Sequence, residues 1–345
     1  MKILYTIFDK KEDQVKKVKF ILIFLGFTSV LITCKKEEES RPTILKGLIF
    51  GTSFKIMYTD SDKNYTKSID SLFYLVNKSL STYLPTSNIS KINNGDTTIV
   101  IDDYFLEVFK KSKIIFKETN GFFDPTVGNL VNYWGFGPKN IRKNLTEEEV
   151  RLQMKFVGLD KVSIYDRKII KESPKIYLDF NSIAKGFGID VIGRFLESKE
   201  IVNYLVEIGG EIRTRGKRSK RNLWRVGFDN PNTDGSRSVS KFINLRDKSM
   251  ATSGNYRKFR IAANGKKYVH TVNPKTGFAT ESNLLRVSVI AKKDCADVDA
   301  YATAFMAMGY KKTKEFLLLH KDLEVILLFT NKEGQIEEYS TFKYN

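Results

Sequence analysis

Asp299 and Thr303 stand four residues apart in the run Asp294 to Thr303, and small or apolar residues continue the helical pattern to Met308. On a helix, positions i and i+4 stack on one face. A carboxylate and a hydroxyl so placed suit a hard cation such as Mg²⁺, which takes oxygen ligands and keeps positions for water or phosphate. Spacing alone favours a plainer reading, with Asp299 a solvated charge and Thr303 a packing residue, because such pairs are common on helix surfaces. Asp294 is placed to cap the helix.

A second candidate is Tyr177 to Gly186, where a strand-like run passes through Asp179, Asn181 and Ser182 into a helix bearing Lys185. Free N–H groups at such a helix start favour an anion, and Lys185 adds positive charge. An ordinary connection capped by Asp179 fits the same residues. His270, one of only two histidines, ends the second strand of a predicted hairpin and precedes a turn containing Pro274. It is suited to a general base or phosphate ligand, although a lone histidine is more often structural. The loops Gly121 to Gly128 and Trp134 to Gly137 combine aromatic residues and glycines, fit either to hold a flat ring or simply to turn the chain. No Rossmann glycine signature and no phosphate-binding P-loop motif occurs.

The elements that must position these groups show mixed periodicities. Strand-like alternation covers 47–58, 162–170, 175–180, 204–214, 223–228, 284–291 and 323–330. Apolar stripes at Ile69, Leu72, Phe73 and Val76, and at Tyr104, Phe105, Val108, Phe109 and Ile115, predict helices. Thr146 and Glu149 form a capping box for a helix to about Phe156, and Asn264-Gly265 predicts a type I′ hairpin. Strands and helices in mixed order, with adjacent hairpins, place the chain in the α+β class, one domain over 43–345.

Net charge narrows the partners. The 345 residues carry 58 Lys and Arg against 40 Asp and Glu, a balance of +18, with two cysteines and seven prolines. Disulfide scaffolds, cysteine zinc modules and disordered chains are excluded, and the charge admits nucleic acid, an anionic membrane or an anionic substrate. Residues 1–33 hold +3 of it, in a lysine-rich start before an uncharged run from Phe20 to Thr33. Fourteen helical residues span roughly 21 Å, short of a ~30 Å hydrocarbon core, which fits a cleaved signal peptide. Leu31 to Cys34 resembles a bacterial lipobox, so lipidated Cys34 would anchor the protein outside the cytoplasm, with 34–42 as tether. The window Arg213 to Arg225 supplies +7 with only Trp224 as an aromatic, which favours a solvated hairpin tip over a nucleic-acid groove.

Taken in order, Gly51-Thr52, Leu80 to Tyr83, Phe123 to Gly128, Trp134 to Gly137, Leu178-Asp179 with Ala184 to Gly186, Ile208 to Glu211, Thr252 to Arg257, His270 with Pro274 and Thr276-Gly277, and Asp299 with Thr303 resemble the ApbE family, the FAD:protein FMN transferases. The resemblance implies a compact α+β, T-fold-like domain that binds FAD in a cleft with Mg²⁺ at its pyrophosphate. It further implies Asp299, Thr303 and an oxygen of Ser182 as metal ligands. Flavin contacts would come from Phe50, Tyr83, Phe122, Phe123, Asp124, Asp179, Lys185 and Val272, and His270 would be the base. Asn181-Ser182 replaces a pair of glycines usual in the family, and Phe50 stands where some relatives have another apolar residue; both leave a carbonyl at Ser182. The implied activity moves FMN from FAD to a Ser or Thr hydroxyl of a redox protein and releases AMP. FAD hydrolysis to FMN and AMP, or flavin binding by a non-catalytic lipoprotein, are the alternatives.

Overall fold

Two-residue turns fold three of the alternating runs back on themselves. In the computed structural model, which describes residues 41–139, 141, 145–229, 239–255, 259–261, 267–279 and 282–344, the run predicted as one strand at 47–58 belongs to two. They are β1 (Thr43–Ile49) and β2 (Thr52–Tyr58), joined at Phe50 (φ 51°) and Gly51 (φ 74°). Likewise β3 (Val162–Tyr165) and β4 (Lys168–Lys171) turn at Asp166 and Arg167, and β5 (Tyr204–Ile208) and β6 (Glu211–Arg215) at Gly209-Gly210, all with positive φ. Paired left-handed residues define the turn whose twist matches antiparallel strands. Gly-Gly signals this in sequence; Phe50 does not, because a bulky residue rarely adopts positive φ.

The remaining strands are β7 (Trp224–Asp229), β8 (Val239–Leu245), β9 (Ser249–Gly254), β10 (Phe259–Ile261), β11 (Lys267–Val269), β12 (Leu284–Ala291), β13 (Glu324–Thr330) and β14 (Ile336–Ser340). Of the fourteen strands described, eight form one antiparallel sheet in the order β1-β2-β5-β6-β9-β12-β13-β14; β3-β4, β7-β8 and β10-β11 are separate hairpins. The last of these contains the predicted hairpin, whose turn at Asn264-Gly265 lies outside the described residues. The helices are α1 (Thr66–Leu80), α2 (Asn88–Asn93), α3 (Asp103–Glu118), α4 (Gly128–Tyr133), α5 (Glu147–Met154), α6 (Ala184–Glu197) and α7 (Cys295–Leu319). The α+β expectation is met, and α5 starts on the Thr146–Glu149 capping box.

The predicted strand at 175–180 is not one. It is an extended, largely buried segment whose backbone is satisfied from elsewhere: the Asn93 amide accepts from Leu178 N at 2.8 Å and donates to Leu178 O at 2.7 Å, and Asp179 N donates to Pro125 O. A side-chain clamp and a loop replace the ladder that alternation normally implies.

Alternation in the sheet serves two faces. Ile56, Tyr58, Val206, Val287 and Leu327 pack with Phe73, Phe187 and Phe305 of the helices in the main core. Each such apolar side chain contributes on the order of 1.5–3 kcal/mol when fully buried. On the other face, Trp224, Val226 and Phe228 of β7 pack with Ile212, Met250 and Ile290.

Helices α6 and α7 approach so closely that a Cβ on Gly186 would lie 2.4 Å from Cys295 O and 2.7 Å from Ala296 N. Backbone cannot move aside as a flexible side chain can, so Gly186→Ala should lower stability by about 1–3 kcal/mol, read as a fall in urea midpoint. The N-terminus of α7 is not capped by Asp294, whose side chain makes no cap hydrogen bond. Buried Asp190 of α6 takes that part, accepting from Cys295 N and Ala296 N at 2.8 Å each. Asp294 instead pairs with Arg213 at 2.8 Å and Lys111 at 3.0 Å. The helix breaks at Gly309 (φ 77°, ψ 172°), one residue beyond the predicted end at Met308.

Candidate functional site

Four connections meet at one end of the sheet: the β1–β2 and β5–β6 turns, the loop leading into α6, and the segment after β11. They enclose a cleft of 780 Å³, within the usual range for ligand pockets. Every site residue picked from the sequence lines it: Phe50, Tyr83, Phe122, Phe123, Asp124, Asp179, Ser182, Lys185, His270, Val272, Asp299 and Thr303.

The acid end is built by α6, α7 and β6. Asp299, on α7, is only 3% exposed, so the plain reading of it as a solvated surface charge fails. Its Oδ2 accepts from Gly186 N at 3.1 Å, which ties α7 to the first turn of α6. Burial, and then the Glu211 carboxylate, push its carboxyl up to about 7, while Lys185 pulls the other way. Lys185 Nζ lies 2.6 Å from Glu211 Oε1, and Glu211 Oε2 is buried without a hydrogen-bond partner among the described residues. Burial lowers and the two carboxylates raise the Lys185 pKa; the carboxylates win, so it stays charged. Thr303, one turn along from Asp299, faces Ser253 of β9, with the hydroxyls 3.5 Å apart.

Another part of the lining is aromatic and acidic. Phe50, held in its left-handed turn, meets Phe73 edge-on at 5.7 Å and lies where a Cβ on Gly188 would stand. Asp124 accepts from Thr126 N and Thr126 Oγ1, and Asp179 accepts from Asn181 N, so both are fixed in direction. Burial pushes each carboxyl up to about 6. Half-buried His270 follows β11 directly, and beside it the Thr271 hydroxyl donates to Asn255 at 2.9 Å. Trp134 is a core residue, stacked on Tyr268 and donating to Gly277 O, and so braces the turn after His270; Phe136 from the same loop does reach the cleft.

Glu211 is the functional group that spacing did not single out. It stood in the Gly-Gly-Glu run, but its partner Lys185 is 26 residues away and only the fold joins them. The basic window is not simply a solvated tip either: Arg213 points inward to Asp190 at 2.7 Å and to Tyr204, and Arg225 lines the cleft. Among the described residues, no three His, Cys, Asp or Glu side chains gather to hold a metal, and no helix is long and apolar enough to cross a membrane.

An antiparallel α+β domain whose cleft is lined by aromatic rings and by a buried acid, lysine and hydroxyl cluster offers surface for a flat ring and for an anionic group. The chain belongs to the ApbE family, whose model matches residues 50–327. It is 33% identical over 341 residues to a Haemophilus influenzae protein named FAD:protein FMN transferase, covering 94% of this chain and 97% of that one. A Vibrio cholerae protein of the same name is 32% identical over 332 residues, with the same shares of the two chains. Among solved structures, flavin transferase ApbE from Vibrio cholerae superposes with a TM-score of 0.76 at 31% identity, covering 87% of this chain and 97% of that one. Flavinyl transferase ApbE from Pseudomonas stutzeri, in its apo form, gives 0.78 at 25%, covering 88% and 96%.

Proposed function

We propose that this protein transfers the FMN part of FAD to a Ser or Thr hydroxyl of a redox protein and releases AMP. The observation that carries the reading is the convergence of the aromatic wall and the Lys185–Glu211–Asp299–Thr303 cluster on one cleft. Relatives named for this activity cover almost the whole chain.

The donor set fits magnesium. Asp299 is a buried carboxylate pressed by a second one, and Thr303 and the Ser182 backbone add neutral oxygens, a hard all-oxygen set. When bound, the ion supplies positive charge against the pyrophosphate oxygens. The chain's own residues do the rest. Lys185, oriented by Glu211, holds phosphate oxygens; the aromatic wall and the Asp124 and Asp179 carboxylates hold the flavin ring. His270 accepts the proton of the acceptor hydroxyl as its oxygen bonds to the FMN phosphorus and the bond to AMP breaks. The leader 1–33 is proposed to be cleaved off and a lipidated Cys34 to anchor the enzyme at the outer side of a bacterial membrane; both lie outside the described residues.

Incubating the protein with FAD, Mg²⁺ and candidate extracytoplasmic redox subunits, followed by mass spectrometry, should show one added FMN per acceptor. AMP release with no mass gain would mean hydrolysis instead. His270→Asn should slow transfer by about 10²–10⁴-fold with FAD still bound. If FAD binding is lost as well, His270 is a binding residue.

A pH dependence follows from the two wall carboxyls near 6. Above that pH both are ionised, and the carboxylate that meets the flavin imide accepts its single N–H; below it they protonate and lose acceptor strength. FAD affinity, followed by flavin fluorescence, should therefore fall as pH drops from 7 to 5, and Asp179→Asn should reduce that dependence. A flat profile would remove both carboxylates from flavin recognition.

A further inference from the structure

Lys185 stands near two buried acids and is paired with only one of them. Its Nζ lies 2.6 Å from Glu211 Oε1, and among the described residues it forms no ion pair with Asp299. Its backbone is nevertheless beside Asp299: the next N–H along the chain, that of Gly186, donates to Asp299 Oδ2 at 3.1 Å. Against burial, both acids favour the charged form of Lys185, Glu211 before Asp299. An ammonium on a flexible four-carbon stem can turn to either.

The anchoring of Glu211 decides between them. Glu211 is buried and opens β6 directly after the Gly209-Gly210 turn, where Gly209 N donates to Ser53 O at 3.0 Å and Gly210 N to Glu207 Oε1 at 2.9 Å. A carboxylate set on a fixed strand end holds the mobile ammonium in one place. Two carboxylates and one ammonium leave this cluster one negative charge, and the acid left without a lysine is Asp299, in the cleft with Thr303 and Ser182. With residue 211 neutral, the balance changes. Lys185 and Asp299 would then form a closed neutral pair, because a buried charge is costly unless paired, and a cation would have to displace the ammonium to reach the carboxylate.

We propose that Glu211 is a positioning residue for the cation site: by holding Lys185 on its own carboxylate, it keeps Asp299 open to the metal ion without itself touching the ion. This rests on the flavin-transfer reading, in which Asp299 meets that ion.

The probe is Mn²⁺, titrated into the full protein without flavin and followed by the electron paramagnetic resonance signal of the free ion. Glu211→Gln keeps the shape of the side chain and removes its charge. Its Mn²⁺ affinity should fall at least about tenfold, since a unit charge a few ångströms away in a poorly solvated site outweighs that ratio. Lys185→Met/Glu211→Gln should return close to the parent affinity, because no ammonium is left to cover Asp299. A crystal structure of Glu211→Gln should show Lys185 Nζ within hydrogen-bonding distance of an Asp299 oxygen. Unchanged affinity in Glu211→Gln, or a lysine still seated on residue 211, overturns the proposal. A double variant as weak as the single one makes Glu211 a ligand of the ion and also overturns it, as does a parent protein that takes up no Mn²⁺. If Glu211→Gln does not fold, the double variant still decides, since it removes both charges of the buried pair. The failure of the flavin-transfer reading is separate: this pattern of Mn²⁺ uptake with no FMN gained by any acceptor would sink the activity and leave the positioning role.

Discussion

Asp299→Ala should abolish FMN transfer, by at least about a thousandfold, while the protein stays folded; phosphoryl transfer depends on electrostatic stabilisation to this extent. The carboxylate is 3% exposed and aimed into the cleft, with Thr303 one turn away, so its removal takes away the one buried anion of the proposed metal set. The fold should survive because, among the described residues, the carboxylate holds the fold through one hydrogen bond, accepted from Gly186 N, and a single such bond contributes roughly 0.5–1.5 kcal/mol net. Against that loss, the variant relieves the pressure between Asp299 and Glu211, which with burial holds the carboxyl near 7. Single-turnover mass spectrometry of the acceptor, alongside thermal unfolding of the variant, measures both halves. Transfer retained at saturating Mg²⁺ would remove Asp299 from the mechanism.

The largest loss of stability is expected from Asp190→Ala, a residue that touches no ligand. Its side chain is fully buried and does two jobs: it accepts from the first N–H groups of α7 and pairs with Arg213 at 2.7 Å. Truncation leaves two helix N–H groups unsatisfied and a mostly buried guanidinium short of its closest anion. Breaking a buried pair from one side costs about 3–5 kcal/mol, and loss of a cap about 0.5–2 more. Domains of this kind hold on the order of 5–15 kcal/mol, so urea unfolding should show a midpoint far below that of the parent. Asp190→Asn, which keeps an acceptor for α7 but no charge for Arg213, should fall between the two. A loss below about 1 kcal/mol would mean that Glu197 and Asp294, at 3.3 and 2.8 Å from Arg213, suffice alone.

Local signals in the sequence translated well where the deciding interaction is itself local. The Thr146–Glu149 box caps α5 because both its hydrogen bonds span three residues. The stripes at Ile69 to Val76 and Tyr104 to Ile115 became α1 and α3 because periodicity alone selects the face that is buried. The misreadings share the opposite cause. Phe50 adopts the left-handed turn because the β1–β2 pairing and its packing on Gly188 and Phe73 hold it there. The segment 175–180 alternates like a strand, yet Asn93 and Pro125 satisfy its backbone from distant positions. Asp294 has the residue type of a cap, but Asp190 accepts from the first N–H groups of the helix and Asp294 pairs with Arg213 and Lys111.

For the candidate site the division is similar. Residue types at fixed spacing, Asp299 with Thr303, Asp179 before Lys185, His270 before Pro274, determined which groups were available for chemistry and, in their joint order, the resemblance to the ApbE family. What only the tertiary structure decided is their environment. Burial of Asp299, the Lys185–Glu211 pair and the inward turn of Arg213 all arise from contacts between elements far apart in the chain. Spacing fixes which side chains share a helix face or a strand face. Whether that face meets water, a carboxylate or a ligand depends on the desolvation and pairing that packing imposes, and these set the charge state on which the chemistry depends.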